Sequence, residues 1–166
     1  MIEFVEGDIL DTDCTILGHQ VNCKGLMGAG LALQIRNKYP HVYTSYKSNV
    51  GSAPYAPDLL GTTQYVDSKD GKLIANMFSQ YDIRHYHADD RNVYTNYKSF
   101  EKCCRNIRDL ILSGETYDYN VDQLSVAFPY GIGCGLANGD WDTIYSIIEN
   151  YFSDENITCK IYKKGE

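Results

Sequence analysis

Apolar and polar residues alternate over six short stretches. This two-residue period predicts strands at Ile2–Val5, Cys14–Val21, Gly61–Val66, Lys72–Met77, Leu124–Phe128 and Ile157–Tyr162. Four other stretches carry a helical period. From Gly28 to Lys38, Leu31, Leu33 and Ile35 are apolar, and Arg36, Asn37 and Lys38 are polar. Tyr39-Pro40 closes that helix, because a residue before proline avoids the α region. A second helix follows from His41 to Asn49. The longest runs from Tyr94 to Leu112. It places Tyr97, Phe100, Cys104, Ile107 and Ile111 on one apolar stripe, and Ser113-Gly114 stops it. The last spans Trp141 to Phe152, with Ile144, Ile147, Ile148 and Tyr151 inward and Asp140 in the N-cap position. The alternation of strands and helices implies an α/β domain, its mixed, largely parallel sheet covered by helices on both faces. Such sheets take ligands beyond the carboxyl ends of their strands.

The 166 residues amount to one domain, expected to span 1–166, and neither a repeat nor a low-complexity tract interrupts them. Hydrophobic residues make up 43% and charged residues 22%, which argues against disorder and coiled coil. No apolar run approaches the roughly 20 residues of a membrane span. Met1-Ile2-Glu3-Phe4-Val5-Glu6 has neither the basic nor the apolar region of a signal peptide, so a cytoplasmic location is expected. In that compartment the six cysteines are expected as thiols. The net charge of −7 argues against an extended nucleic-acid footprint. It leaves room for a small anion, because backbone N–H groups hold phosphate without any net positive charge. No metal is expected: there is no Cys-x-x-Cys pair, and His85-x-His87 reads as a solvated loop among Asp and Tyr. A cofactor is not implied, and a monomer is expected.

Two glycine-rich segments sit where a strand runs out and a helix begins. In the first, His19-Gln20-Val21-Asn22-Cys23-Lys24-Gly25-Leu26-Met27-Gly28-Ala29-Gly30-Leu31, Gly28 and Gly30 let backbone approach a ligand, and the helix start offers N–H groups to an anion. Asn22 can hydrogen-bond a hydroxyl or a phosphate. In the second, Pro129-Tyr130-Gly131-Ile132-Gly133-Cys134-Gly135-Leu136-Ala137-Asn138-Gly139-Asp140-Trp141, the alternating glycines at 131, 133 and 135 suit a loop whose N–H groups converge on a diphosphate. Neither segment fits the dinucleotide fingerprint or the P-loop. A plain turn is the alternative for the first, a linker for the second. A third signal, Glu6-Gly7-Asp8-Ile9-Leu10, puts a carboxylate at a strand end, where it can accept from an exocyclic amine; a simple Gly-Asp turn is the alternative.

Together, in this order and over nearly the whole chain, Val5-Glu6-Gly7-Asp8-Ile9, the Asn22–Ala32 segment and Gly131-Ile132-Gly133-Cys134-Gly135-Leu136 resemble the macrodomain family. Asn76-Met77-Phe78-Ser79-Gln80 and Gly135-Leu136-Ala137-Asn138-Gly139-Asp140-Trp141 are similar to the branch that holds ADP-ribose 1″-phosphate phosphatases, near the terminal ADP-ribose glycohydrolases. The resemblance implies a three-layer α/β/α fold that binds ADP-ribose or an ADP-ribosylated small molecule or protein. By that resemblance Asp8 and the Ile9 N–H hold adenine. Asn22, with Met27, Gly28, Ala29, Gly30 and Leu31, surrounds the distal ribose. Gly131, Ile132, Gly133, Cys134, Gly135 and Leu136 cradle the diphosphate. The chain departs from the glycohydrolase branch in two places: Phe78-Ser79-Gln80-Tyr81 holds no lysine after the fourth strand, and Ala137 stands where that branch has aspartate.

The expected catalytic residues are Asn22 to position the substrate, His19 to protonate a leaving oxygen, and Asp140 to orient or deprotonate water. His19 as a satisfied strand histidine and Asp140 as a helix cap are the alternatives. Cys134 lies among loop N–H groups, which are expected to lower its pKa. The expected activity is hydrolysis of ADP-ribose 1″-phosphate or a related ADP-ribosyl ester. A binding-only ADP-ribose reader, and removal of ADP-ribose from protein or nucleic acid, are the competing readings.

Overall fold

Ten regular elements account for most of the chain in the computed structural model, which describes residues 1–84, 90–114 and 124–165. In chain order they are β1 (Ile2–Glu6), β2 (Ile16–Asn22), α1 (Gly30–Lys38), α2 (Pro40–Ser52), β3 (Thr63–Asp67), β4 (Leu73–Gln80), α3 (Tyr97–Ser113), β5 (Ser125–Pro129), α4 (Trp141–Phe152) and β6 (Thr158–Lys163). Short 3-10 turns follow β1 at Ile9–Asp11 and precede β3 at Ala56–Leu59. The strands form one six-stranded sheet in the order β1-β6-β5-β2-β4-β3. Every neighbouring pair is parallel except β3 with β4 at the edge. The expected mixed, largely parallel sheet is what forms.

Alternation along β2 sorts its side chains between the two faces of the sheet. Ile16 joins the core under α3 and α4, where Phe100, Cys104, Ile107, Ile144, Ile148 and Phe152 are buried. Leu17 and Val21 point the other way, toward α1 and α2, where Ile35, Val42 and Tyr46 close the second layer. The result is the three-layer α/β/α arrangement. Gly18 lies on the α3 and α4 side, and its lack of a side chain admits the Phe128 ring: a Cβ there would stand 2.7 Å from Phe128 Cε1 and 3.2 Å from Met77 Sδ.

Element boundaries differ from the sequence expectation where side chains intervene. Helix α3 begins at Tyr97 rather than Tyr94, because the Asn96 side chain accepts from the Ser99 N–H and Thr95 bridges Gln80 as an isolated strand contact. Helix α1 begins at Gly30 rather than Gly28, and α2 starts one residue early, with Pro40 in its first turn. Strand β4 continues to Gln80 beside β2, across a register shift at Val21/Asn22. No helix among the described residues is long and apolar enough to cross a membrane.

The Gly18 contact yields a stability prediction. Gly18→Ala forces a methyl into a rigid aromatic face and is expected to cost about 1–3 kcal/mol. A lowered denaturant midpoint with unchanged slope checks this; an unchanged midpoint would mean that the Phe128 ring moves aside freely.

Candidate functional site

Parallel pairing sends the carboxyl ends of β1, β6, β5, β2 and β4 to one edge of the sheet. The three sequence signals all leave from that edge. Asp8 follows β1, Gly131–Leu136 follows β5, and the 23–29 loop follows β2, which is β5's neighbour. The turn after β1 folds inward: Ile9 and Leu10 are buried with Leu17, Ile35 and Ala127, and Leu31 packs on the same cluster. The Asp8 turn and the start of α1 are therefore brought together.

Asp8 is the N-cap of the 3-10 turn, its Oδ1 accepting from the Leu10 N–H at 2.9 Å. A carboxylate has a second oxygen, so the cap leaves it able to accept another hydrogen bond.

Asn22 shapes the loop that follows it. Its Oδ1 accepts from the Lys24 N–H (3.0 Å), the Leu26 N–H (3.3 Å) and the Tyr46 hydroxyl (2.8 Å), and its Nδ2 donates to the Leu26 carbonyl (2.8 Å). Met27 is buried and anchors the loop beside Val21 and Phe78. Gly28 and Ala29 are exposed. At the start of α1 Ala29 provides no side-chain cap, so the first-turn N–H groups are left to solvent or a ligand. By contrast α2 opens on Pro40, and α3 and α4 are capped by Asn96 and Asp140.

The loop after β5 is a series of turns. The N–H groups of Ile132, Cys134, Asn138 and Gly139 donate to the carbonyls of Pro129, Gly131, Gly135 and Gly133 at 2.8–3.1 Å. The N–H groups of Gly131, Gly133, Gly135 and Leu136 have no protein partner among the described residues. From Gly131 to Gly135 unpaired and paired amides thus alternate, which leaves N–H groups available to an anion. Gly133 has φ of +75°, and a Cβ there would lie 3.0 Å from both Gln20 Oε1 and Thr95 Oγ1.

Those two side chains hold the loop from below. The Thr95 hydroxyl donates to the Gly133 carbonyl at 2.6 Å and accepts from Gln20 Nε2 at 3.0 Å. Gln20 Oε1 in turn accepts from the Ser79 hydroxyl at 2.7 Å. Sequence reasoning gave no role to Gln20 or Thr95. The available signal was a polar side chain on β2 facing the apolar α3 and α4 layer.

His19 requires a correction. It is 2% exposed, and its Nε2 lies 2.6 Å from Asn76 Oδ1. The direction of this chain is set at its far end: the Ser45 carbonyl can only accept, so Gln64 donates to it (3.2 Å), Asn76 donates to Gln64 (3.1 Å), and His19 Nε2 carries the proton given to Asn76. Burial holds the imidazole down at about 4, against the opposing Asn76 bond. His19 is a neutral, sealed strand histidine, unable to protonate a leaving group in the cleft. Asp140 is corrected in part. It caps α4, its Oδ2 accepting from the Thr143 N–H (2.9 Å) and hydroxyl (2.8 Å). The Thr143 hydroxyl, then its N–H, hold the carboxyl below its ordinary range, which makes it a weaker base. Cys134 is the third correction. Burial, with the Asp140 charge adding to it, pushes the thiol up to about 11 rather than down. Among the described residues no group of three or more His, Cys, Asp or Glu could hold a metal ion. His85 and His87 lie outside the described residues.

His19 makes stability depend on pH. Its folded pKa lies below the unfolded value near 6.5, so its contribution is complete above pH 6.5 and is lost as pH falls toward 4. The shift corresponds to about 3 kcal/mol. Denaturant titrations from pH 7 to pH 4 should show this slope in the wild type and a shallower one in His19→Gln; parallel profiles would contradict the assignment.

No family model matches the sequence. Over 47 residues the chain is 45% identical to a Mycobacterium tuberculosis protein named DNA ADP-ribosyl glycohydrolase, covering 28% of this chain and 13% of that protein. Over 76 residues it is 32% identical to an ADP-ribose 1″-phosphate phosphatase of Scheffersomyces stipitis, covering 42% of this chain and 44% of that one. The chain therefore spans less than half the length of these curated relatives. Among solved structures, the macrodomain of Mycobacterium tuberculosis DarG superposes with a TM-score of 0.75 at 26% identity, covering 98% of this chain and 97% of that one. Thermosipho africanus DarTG, in complex with ADP-ribose, gives a TM-score of 0.71 at 19% identity over 97% of this chain and 41% of that one, a likeness of fold. End-to-end superposition shows that this chain has the macrodomain fold, and parts of its sequence are similar to proteins named for ADP-ribose chemistry.

Proposed function

We propose that the cleft binds ADP-ribose and that the protein hydrolyses ADP-ribose 1″-phosphate or a related ADP-ribosyl ester. One observation carries the reading: the Asp8 turn, the 131–136 loop with its unpaired amides and the uncapped start of α1 gather at the same sheet edge. From β1 to β2 is three strand spacings, about 14 Å, a span that suits an extended ligand with its diphosphate in the middle. Asp8 accepts from the adenine amine. The N–H groups of Gly131, Gly133, Gly135 and Leu136 take the diphosphate. Asn22 places the distal ribose by shaping the 23–29 loop and by the second hydrogen of its amide.

Hydrolysis here rests on positioning rather than on an acid–base pair. A phosphate leaves as an anion without a protein acid, in keeping with the seclusion of His19. The outer oxygen of Asp140 is the available group to orient water. The relatives named as a phosphatase and as a glycohydrolase support the hydrolase reading. The binding-only reading has an observation in its favour as well, since His19 is sealed and Asp140 is occupied as a cap.

Titration calorimetry separates the two uses of Asp8. Asp8→Asn keeps an oxygen for the Leu10 N–H but offers adenine an amide that cannot accept. It is expected to weaken ADP-ribose binding by about tenfold or more with little change in melting temperature; equal affinity would remove Asp8 from the site. Purified protein is expected to release phosphate from ADP-ribose 1″-phosphate, and Asn22→Ala to slow the release. Tight ADP-ribose binding without release would establish the reader instead.

A further inference from the structure

The strand order reads as an order of ligand parts. Adenine belongs at β1, the diphosphate at β5 and the distal ribose at β2, and the next strand is β4. A group on C1″ of the distal ribose is thereby directed over the end of β4. This step rests on the reading of the cleft proposed above.

The loop after β2 meets the end of β4 directly. The Cys23 N–H donates to the Tyr81 carbonyl at 3.1 Å, joining the two segments. The Lys24 N–H is fixed on Asn22 Oδ1 at 3.0 Å. From that mount the Lys24 side chain reaches over Tyr81, with Nζ 4.4 Å from the ring centroid and 3.4 Å from the hydroxyl. Both residues are exposed. Lys24 is the sole cation of the 22–29 segment. The carboxylate next to Tyr81, Asp82, turns its Oδ1 onto the Ile83 N–H at 2.8 Å. The Tyr81 hydroxyl accepts from the ammonium, leaving the phenolic hydrogen and two ammonium hydrogens for an anion.

We infer that Lys24, seated on Tyr81, is a specificity residue that recognises an anionic group on C1″ and so selects ADP-ribose 1″-phosphate over ADP-ribose. The end of β4 and the residue after it, Phe78-Ser79-Gln80-Tyr81, supply no cation. The neighbouring loop brings one to the same place. A lysine suits this task because a compact ammonium binds phosphate as a point charge and tolerates the approach of substrate and departure of product. Its exposure also means that the contact weakens with salt.

The test compares two ligands on two proteins. For wild type and Lys24→Met, the affinity for ADP-ribose is measured by calorimetry. Recognition of ADP-ribose 1″-phosphate is measured as the initial-rate KM where phosphate is released and as a calorimetric Kd where it is not. Lys24→Met is expected to weaken recognition of the phosphorylated ligand about tenfold and to leave ADP-ribose within twofold, with kcat changed less than KM. Lys24→Arg is expected to restore most of the preference. Equal weakening of both ligands, or no change for the phosphorylated one, would overturn the role of Lys24 while leaving the cleft reading intact. Failure of the wild type to bind ADP-ribose would overturn the cleft reading and, with it, this inference.

Discussion

Parallel hydrogen bonding of β1, β6, β5, β2 and β4 is the constraint on which the site depends. A parallel strand cannot return through a tight hairpin, so β1, β2, β4 and β5 each hand the chain to a longer connection at the same edge of the sheet. Three such connections, separated by up to about 120 residues in sequence, become neighbours for that reason alone. Only β3 reverses direction, at the edge beyond β4, and leaves the row of carboxyl ends intact.

The polar side chains at this edge hold the loops in shape, whatever further contact they make with a ligand. Asp8 caps a turn, Asn22 gathers four hydrogen bonds, Asp140 caps α4, and Thr95 with Gln20 grips the Gly133 carbonyl. Among the described residues, backbone N–H groups without a protein partner remain at this edge, in the 131–136 loop and at the uncapped start of α1. Such a surface recognises phosphate and sugar through fixed N–H groups, with no reorganisation needed when the ligand arrives. A net charge of −7 is compatible with the proposed diphosphate ligand on such a surface, because the N–H groups need no cationic side chain.

The fold was largely legible in the sequence because local periodicity reports which face of a strand or helix is buried. Boundaries were less so. The start of α3 is fixed by Asn96 capping and by a Thr95–Gln80 bridge, a contact between residues 15 positions apart. The glycine spacing marked both loops, yet it could not reveal that Thr95 and Gln20 hold one of them, since no local pattern links those positions. His19 carried its own warning. It shares its sheet face with Leu17 and Val21, and alternation alone predicts an apolar environment there. For Cys134, proximity to amides suggested a low pKa, whereas burial and the Asp140 charge act in the opposite direction.

The central claim is that these connections form one cleft for one ligand. Amide NMR spectra recorded during titration with ADP-ribose test it most directly. The account predicts concerted shifts of the Ile9, Gly30, Leu31, Gly131, Gly133, Gly135 and Leu136 N–H signals along a single binding curve, with the amides of α3 unmoved. Shifts confined to one loop, or dispersed over the α3 and α4 face, would contradict it.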